Sequence, residues 1–119
     1  MPLTNRELPL YEVKAGLFKG LSHPLRIRIL EILADGNEHT VGELQERIGL
    51  EASHLSQHLA VIRRNHLVVS ERRRSHVYYR LAYPQVAELL GLARELLTHI
   101  LDESSESRLL ADELPAVGE

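Results

Sequence analysis

Two imidazoles one helical turn apart are the first arrangement in this sequence that could do chemistry. The stretch SHLSQHLAVIRR, Ser53 to Arg64, holds His54 and His58 four residues apart in a helical pattern. That spacing places both rings on one face. Such a pair is either half of a metal site, since zinc asks for three or four protein ligands, or part of a polar face that touches something else. Ser53, Ser56 and Gln57 stand beside the histidines, and Arg63 and Arg64 end the pattern. Further along comes the densest charge in the chain, Arg72-Arg73-Arg74-Ser75-His76.

These cations sit in an acidic protein. The 119 residues carry a net charge of −3, yet residues 51–80 hold six Arg against two Glu, a local +4 that leaves −7 for the rest. A basic patch on an acidic body is an electrostatic footprint for a polyanion, and the acidic body limits non-specific sticking. The chain has no Cys, which excludes disulfides, thiolate metal sites and cysteine nucleophiles. No phosphate-cradling glycine loop, HExxH or nucleophile motif is present, so an enzyme is not expected. No apolar run approaches the roughly 20 residues of a membrane span, and MPLTNRELPL lacks the apolar centre of a signal peptide. The expected setting is the cytoplasm, and the length fits one domain.

The elements that must position these residues can be read from periodicity and punctuation. Leu10, Val13, Leu17 and Leu21 give a helix over Leu8–Leu21. Ser22-His23-Pro24 interrupts it, because the residue before Pro leaves the α region. Pro24 suits the first turn of a second helix, Pro24–Ala34, with Leu25, Ile29, Leu30, Ile32 and Leu33 inward. Asp35-Gly36-Asn37 ends it. Thr40 and Glu43 have the spacing of a capping box ahead of a helix over Val41–Ile48, which Gly49 stops. The helix Ala52–Arg64 follows, with Leu55, Leu59 and Ile62 inward. Two short helices joined by a tight glycine-containing turn form a helix-turn-helix pattern. LVVSERRRSHVYYRL then changes to a hairpin, Leu67–Arg72 and His76–Leu81, with Tyr78 and Tyr79 on opposite faces. Tyr83-Pro84 opens a last helix with Val86, Leu89, Leu90, Ala93, Leu97, Ile100 and Leu101 on one stripe. The fold class is mainly α with a small β-hairpin, in the order α-α-α-α-β-β-α, which is a winged helix-turn-helix.

Three blocks carry a family resemblance. GLFKGLSHPLRIRILEILADG resembles the opening of the ArsR/SmtB repressors of bacteria, and HLSQHLAVIRRNHLV and RRRSHVYYRL resemble their recognition helix and wing. The similarity spans roughly Tyr11 to Leu101. It implies a homodimeric DNA-binding transcription factor that represses by covering a palindromic operator. A recognition helix puts its N-terminal half in the major groove, so Ser53, His54, Ser56, Gln57 and His58 face base edges. Gln can pair with adenine in two hydrogen bonds. Arg63 and Arg64 contact phosphate or complement the helix C-terminus. Arg72, Arg73, Arg74, Ser75, His76 and Tyr78 belong to the wing, and Thr40 joins the DNA-facing set. Arg74 stands where the family often has Gly, so either the turn type differs or the tip is loose until DNA orders it. His54 and Glu51 also depart from the family's small hydroxyl residues.

The resemblance also implies a dimer interface of Leu10, Leu17, Phe18, Val86, Leu89, Leu90, Ala93, Leu97 and Ile100. The alternative for the last-helix stripe is intramolecular core. The family's thiolate site is absent from VGELQERIG. Its last-helix metal site would fall on Tyr83, Gln85, Leu96 and His99, one ligand in four. His99 with Asp102 and Glu103 is the residual metal candidate, so metal and cofactor are expected to be absent. Glu38-His39 is weaker still, and His23 reads as structural. Residues 1–103 are expected to form the DNA-binding and dimerising domain, and 104–119 a flexible acidic tail. Partners are operator DNA and a second copy, with a small-molecule or metal effector left open. The competing readings are a protein–protein module that has lost operator binding, and a metal-responsive repressor using His99 with a carboxylate.

Overall fold

Punctuation residues decide where the elements start and stop. A computed structural model describes residues 2–102 and 112–118. Its elements are α1 (Leu8–Gly20), α2 (Pro24–Leu33), β1 (His39–Thr40), α3 (Val41–Ile48), α4 (Ala52–Arg64), β2 (Val68–Arg73), β3 (His76–Leu81) and α5 (Pro84–Leu101). Five helices and a small antiparallel sheet make a winged helix-turn-helix. The α3–α4 turn needs a left-handed residue, and Gly49 supplies it at φ 74° while its N–H donates to Gln45 O.

The capping box forms at a different Thr-x-x-Glu than expected. Thr40 Oγ1 does accept the Glu43 N–H at 3.1 Å. The Glu43 carboxylate, however, turns to His39, 3.3 Å from Nδ1. The reciprocal pair closes instead at the start of α1, where Thr4 N–H donates to Glu7 Oε2 and Glu7 N–H donates to Thr4 Oγ1.

The hairpin gains a third strand that was not expected. β1 pairs antiparallel with the free edge of β3, giving the order β1-β3-β2. His39 lies opposite Tyr79 and Thr40 opposite Tyr78. His39 is buried there with its Nε2 2.8 Å from Asp35 Oδ2. The α2–α3 connection is thereby stitched to the wing. Burial alone would push the Asp35 carboxyl up; the Asn37 N–H and His39 outweigh it and hold it below its ordinary range.

α4 ends in a Schellman motif. Leu67 N–H donates to Ile62 O and His66 N–H to Arg63 O. His66 takes the left-handed position at φ 66°, where His is one of the few side chains enriched outside glycine. The core is aliphatic: Ile29, Leu30, Ile32 and Leu33 of α2, Leu44, Leu55, Leu59, Ile62, Leu67, Val68, Val86 and Leu90. Val86 and Leu90 therefore lie in the intramolecular core rather than in an interface.

Only the C-terminal half of α1 is seated on this body. A Cβ at Gly20 would come within 2.4 Å of Leu67 Cδ1, so the helix can approach the α4–β2 corner only without one. Every residue from Leu8 to Ala15 is exposed. Residues 104–111 of the expected tail, and Glu103, lie outside the described residues. Residues 112–118 return to α2 and α5: Gly118 N–H donates to Glu31 O at 3.0 Å, and Val117 packs against the core.

Candidate nucleic-acid interface

α4 is anchored from behind and polar in front. Leu55, Leu59 and Ile62 are at most 1% exposed, while Ser53, His54, Ser56 and Gln57 are exposed on the other side. His58 is not equivalent to them. Its ring centroid lies 4.4 Å from that of His23, and Arg26 Nη1 approaches its Nδ1 at 3.4 Å. Partial burial lowers the His58 pKa, and His23, Arg26 and His54 lower it further. The ring is thus favoured as neutral imidazole.

His23 is structural, as read from the sequence. Its Nδ1 accepts the Leu25 N–H at 3.1 Å and caps α2. Arg26, which the sequence did not single out, fastens the same corner. Its guanidinium donates to Gly20 O and to Lys19 O, which Ser22 also bonds, so it helps to satisfy the carbonyls at the end of α1, and then reaches His58. α4 is therefore tied to the α1–α2 junction through His58.

Arg63 Nη1 donates to Ser70 Oγ at 3.4 Å, bridging α4 to the wing. Arg64 is exposed and unpaired among the described residues. Both lie in the last turn of α4, where positive charge complements the helix dipole.

The wing closes through the two-residue loop Arg74–Ser75, between paired Arg73 and His76. A hairpin this short needs a positive φ at its first loop residue. Arg74 adopts it at 56°, so the turn keeps its geometry without glycine. The three tip arginines then differ. Arg72 and Arg74 are exposed and have no ion-pair partner among the described residues. Arg73 folds back: it hydrogen-bonds Glu38, lies 3.7 Å from Glu71 and stacks 4.0 Å over the Tyr78 ring. The Glu38 bond holds its guanidinium still more firmly cationic. His76 is exposed and meets the edge of Tyr78 at 6.5 Å. Tyr79 turns inward to the core.

Among the described residues no group of three His, Cys, Asp or Glu side chains is arranged to hold a metal. His99 is exposed at the end of α5, and Asp102 follows it as the C-cap. The contact of Glu38 with Arg73 was invisible to sequence reasoning. The partners are 35 residues apart and meet only because β1 joins the sheet.

This arrangement has close relatives. A helix-turn-helix domain family matches residues 21–71. The transcriptional regulator Rv0081 of Mycobacterium tuberculosis is 47% identical over 96 residues, 80% of this chain and 83% of the relative. The chain belongs to the helix-turn-helix transcriptional regulators. These regulators bind DNA and are not enzymes. The Rv0081 crystal structure superposes with a TM-score of 0.71 over 80% of this chain and 95% of that one. The biofilm growth-associated repressor of Xylella fastidiosa is 40% identical over 77 residues, 65% of this chain and 67% of the relative. A homodimeric winged helix-turn-helix DNA-binding domain from Mycobacterium bovis, described as a possible ArsR-family regulator, is 26% identical and matches with a TM-score of 0.76, over 87% of this chain and 95% of that one. In this regulator, as in any DNA-binding chain, phosphate contacts position and base contacts specify. The polar front of α4 and the cations of the wing fit that division.

Proposed function

We propose that this regulator is an ArsR-like repressor that binds a palindromic operator as a homodimer in the cytoplasm. Ser53, His54, Ser56 and Gln57 read base edges, with His58 at the margin of that face. Arg63, Arg64, Arg72, Arg74, Ser75 and His76 meet phosphates or the adjacent minor groove. Thr40 and Tyr78 hold the base of the wing against that contact, and Glu38 keeps the charge of Arg73 back from it. Residues 1–103 form the DNA-binding and dimerising body, and of the acidic 104–119 segment residues 112–118 return to it.

The observation that carries the dimer is the uncovered apolar surface of two helices. Leu10 is 71% exposed and Phe18 57% on α1, while Leu92, Leu96 and Ile100 are 63%, 61% and 59% exposed on α5. Monomeric proteins rarely leave contiguous apolar surface of this kind in water. A second copy covers it with its own α1 and α5. The homodimeric M. bovis relative supports the same assembly. Of the expected interface residues, Leu10 and Ile100 fit this surface best, Phe18 stands at its edge, and Leu17 is half-buried against the core. Leu92 and Leu96 join them.

Two-fold symmetry then sets two half-sites about one helical turn, roughly 10 base pairs, apart. Selection of genomic fragments by the purified protein, with light scattering for mass, tests the reading. An enriched inverted repeat bound by a particle of two chains is the expected result. A monomeric mass under binding conditions, or no enrichment at low salt, would overturn it.

A further inference from the structure

A cavity of roughly 530 Å³ lies between α2 and α5, on the flank of α5 next to the face assigned above to the second copy. Its walls are Phe18, which it shares with that face, and Ile27, Leu89, Ala93 and Leu97, and the returning segment roofs it with Leu114 and Pro115. Leu92, Leu96 and Ile100 are not among its lining residues. The volume falls in the range of small-molecule sites, which are mostly apolar with a few convergent polar groups.

The polar groups here are Arg28, Glu31 and Arg94. Arg28 and Glu31 answer each other, with Nη1 3.6 Å from Oε1. Arg94 has no acidic partner among the described residues. Its guanidinium donates instead to the main-chain carbonyls of Leu114 and Pro115. A cation beside an apolar chamber, satisfied only by neutral carbonyls of a strap, is matched to a carboxylate. Hydrogen bonds between guanidinium and carboxylate are about twice as strong as neutral ones, and they can form in parallel pairs.

We propose that this cavity is an effector site for a free medium-chain carboxylic acid. The alkyl chain fills the space between α2 and α5, and the carboxylate takes Arg94 from the carbonyls of Leu114 and Pro115. The strap stays attached through Gly118 to Glu31 O and through Val117, so it yields at its roof without leaving. The occupant is anionic because, with Arg28 and Glu31 paired, the unbalanced charge of the lining is the Arg94 cation, and apolar because most of the wall is.

Calorimetry on the full chain with decanoate and with decanol, both below micelle-forming concentration, tests this. Saturable binding of one decanoate per chain is expected, at least tenfold tighter than decanol. Arg94→Gln should erase that difference, and Ala93→Trp should block both ligands. No saturable binding, equal affinity for acid and alcohol, or binding indifferent to Ala93→Trp would each overturn the proposal. If Ala93→Trp does not fold, the Arg94→Gln comparison still decides. Nuclear Overhauser contacts locate the ligand: methyls of Leu89 and Ala93 are expected, whereas contacts to Leu92 and Leu96, or a second copy filling the cavity, would sink it. None of these readouts uses DNA, so a negative result here leaves the operator reading standing.

Discussion

The first half of α4 turns Leu55 and Leu59 into the core and the polar Ser53, His54, Ser56 and Gln57 outward, whereas the wing tip turns little inward and carries three exposed arginines. Base reading needs side chains held to within a fraction of an ångström, so it belongs on an element clamped from behind. Phosphate attraction tolerates looser placement because it is long-ranged and undirected, so it can sit on a two-stranded ribbon. Within the wing the same contrast repeats: Arg72 and Arg74 are free, and Arg73 is held by Glu38, Glu71 and Tyr78.

Removing the clamp should have the largest effect. Leu59→Ala is expected to cost about 2–5 kcal/mol of stability, as for other buried leucines, measured by denaturant unfolding. A cost well under 1 kcal/mol would mean that α4 is not held by its buried side. Next is the free charge. Arg72→Ala with Arg74→Ala should weaken binding to all sequences alike, by roughly 1.5–3 kcal/mol at low salt. Each lost phosphate contact should make the slope of log K against log salt shallower by about 0.9. A sequence-selective loss would break the division between helix and wing. Gln57→Ala should do the opposite, costing about 1–3 kcal/mol of discrimination at one base pair with the salt slope unchanged.

Smaller still is the release of Arg73. Glu38→Gln should tighten DNA binding by less than about 1 kcal/mol, the scale of exposed ion pairs, and steepen the salt slope. Weaker binding would show that Glu38 positions the wing rather than restraining its charge. The smallest effect concerns His58. Its pKa in the fold lies below the ordinary 6.5, so the unfolded chain takes up the proton first. The stability contributed by neutral His58 is full above pH 6.5, declines as pH falls toward the folded value, and is constant below it. His58→Gln should remove that part of the pH dependence in thermal melts. An unchanged profile would place the titration elsewhere.

The helices were legible because their ends are chemically marked. Val41–Ile48 and Ala52–Arg64 stand where Thr40, Gly49 and the apolar period put them. What failed to show was whatever depends on a distant partner. β1 has two residues, too few for any period, and exists because β3 offers an edge. Two Thr-x-x-Glu patterns compete for the capping role, and Glu43 leaves its own for His39, a buried neighbour no local rule identifies. His54 and His58 share a face only approximately: four residues overshoot a full turn by about 40°, enough to carry His58 from solvent to the α1–α2 corner. The stripe on α5 was visible as apolar, yet its cover was not. Val86 and Leu90 meet the chain's own core, Leu89, Ala93 and Leu97 line a cavity, and Ile100 faces outward with Leu92 and Leu96, which lie off the stripe.

The bare N-terminal half of α1 bears on how the protein is made. This helix leaves the ribosome ahead of α2 to α5, and the described residues of the folded chain leave Leu8, Leu10, Tyr11 and Val13 largely exposed. Until its partner surface arrives, α1 is therefore an adhesive arm, exposed to chaperones and to other nascent chains. Chains growing side by side on one message are the nearest source of a matching arm, which couples the yield of finished protein to how closely translating ribosomes follow one another.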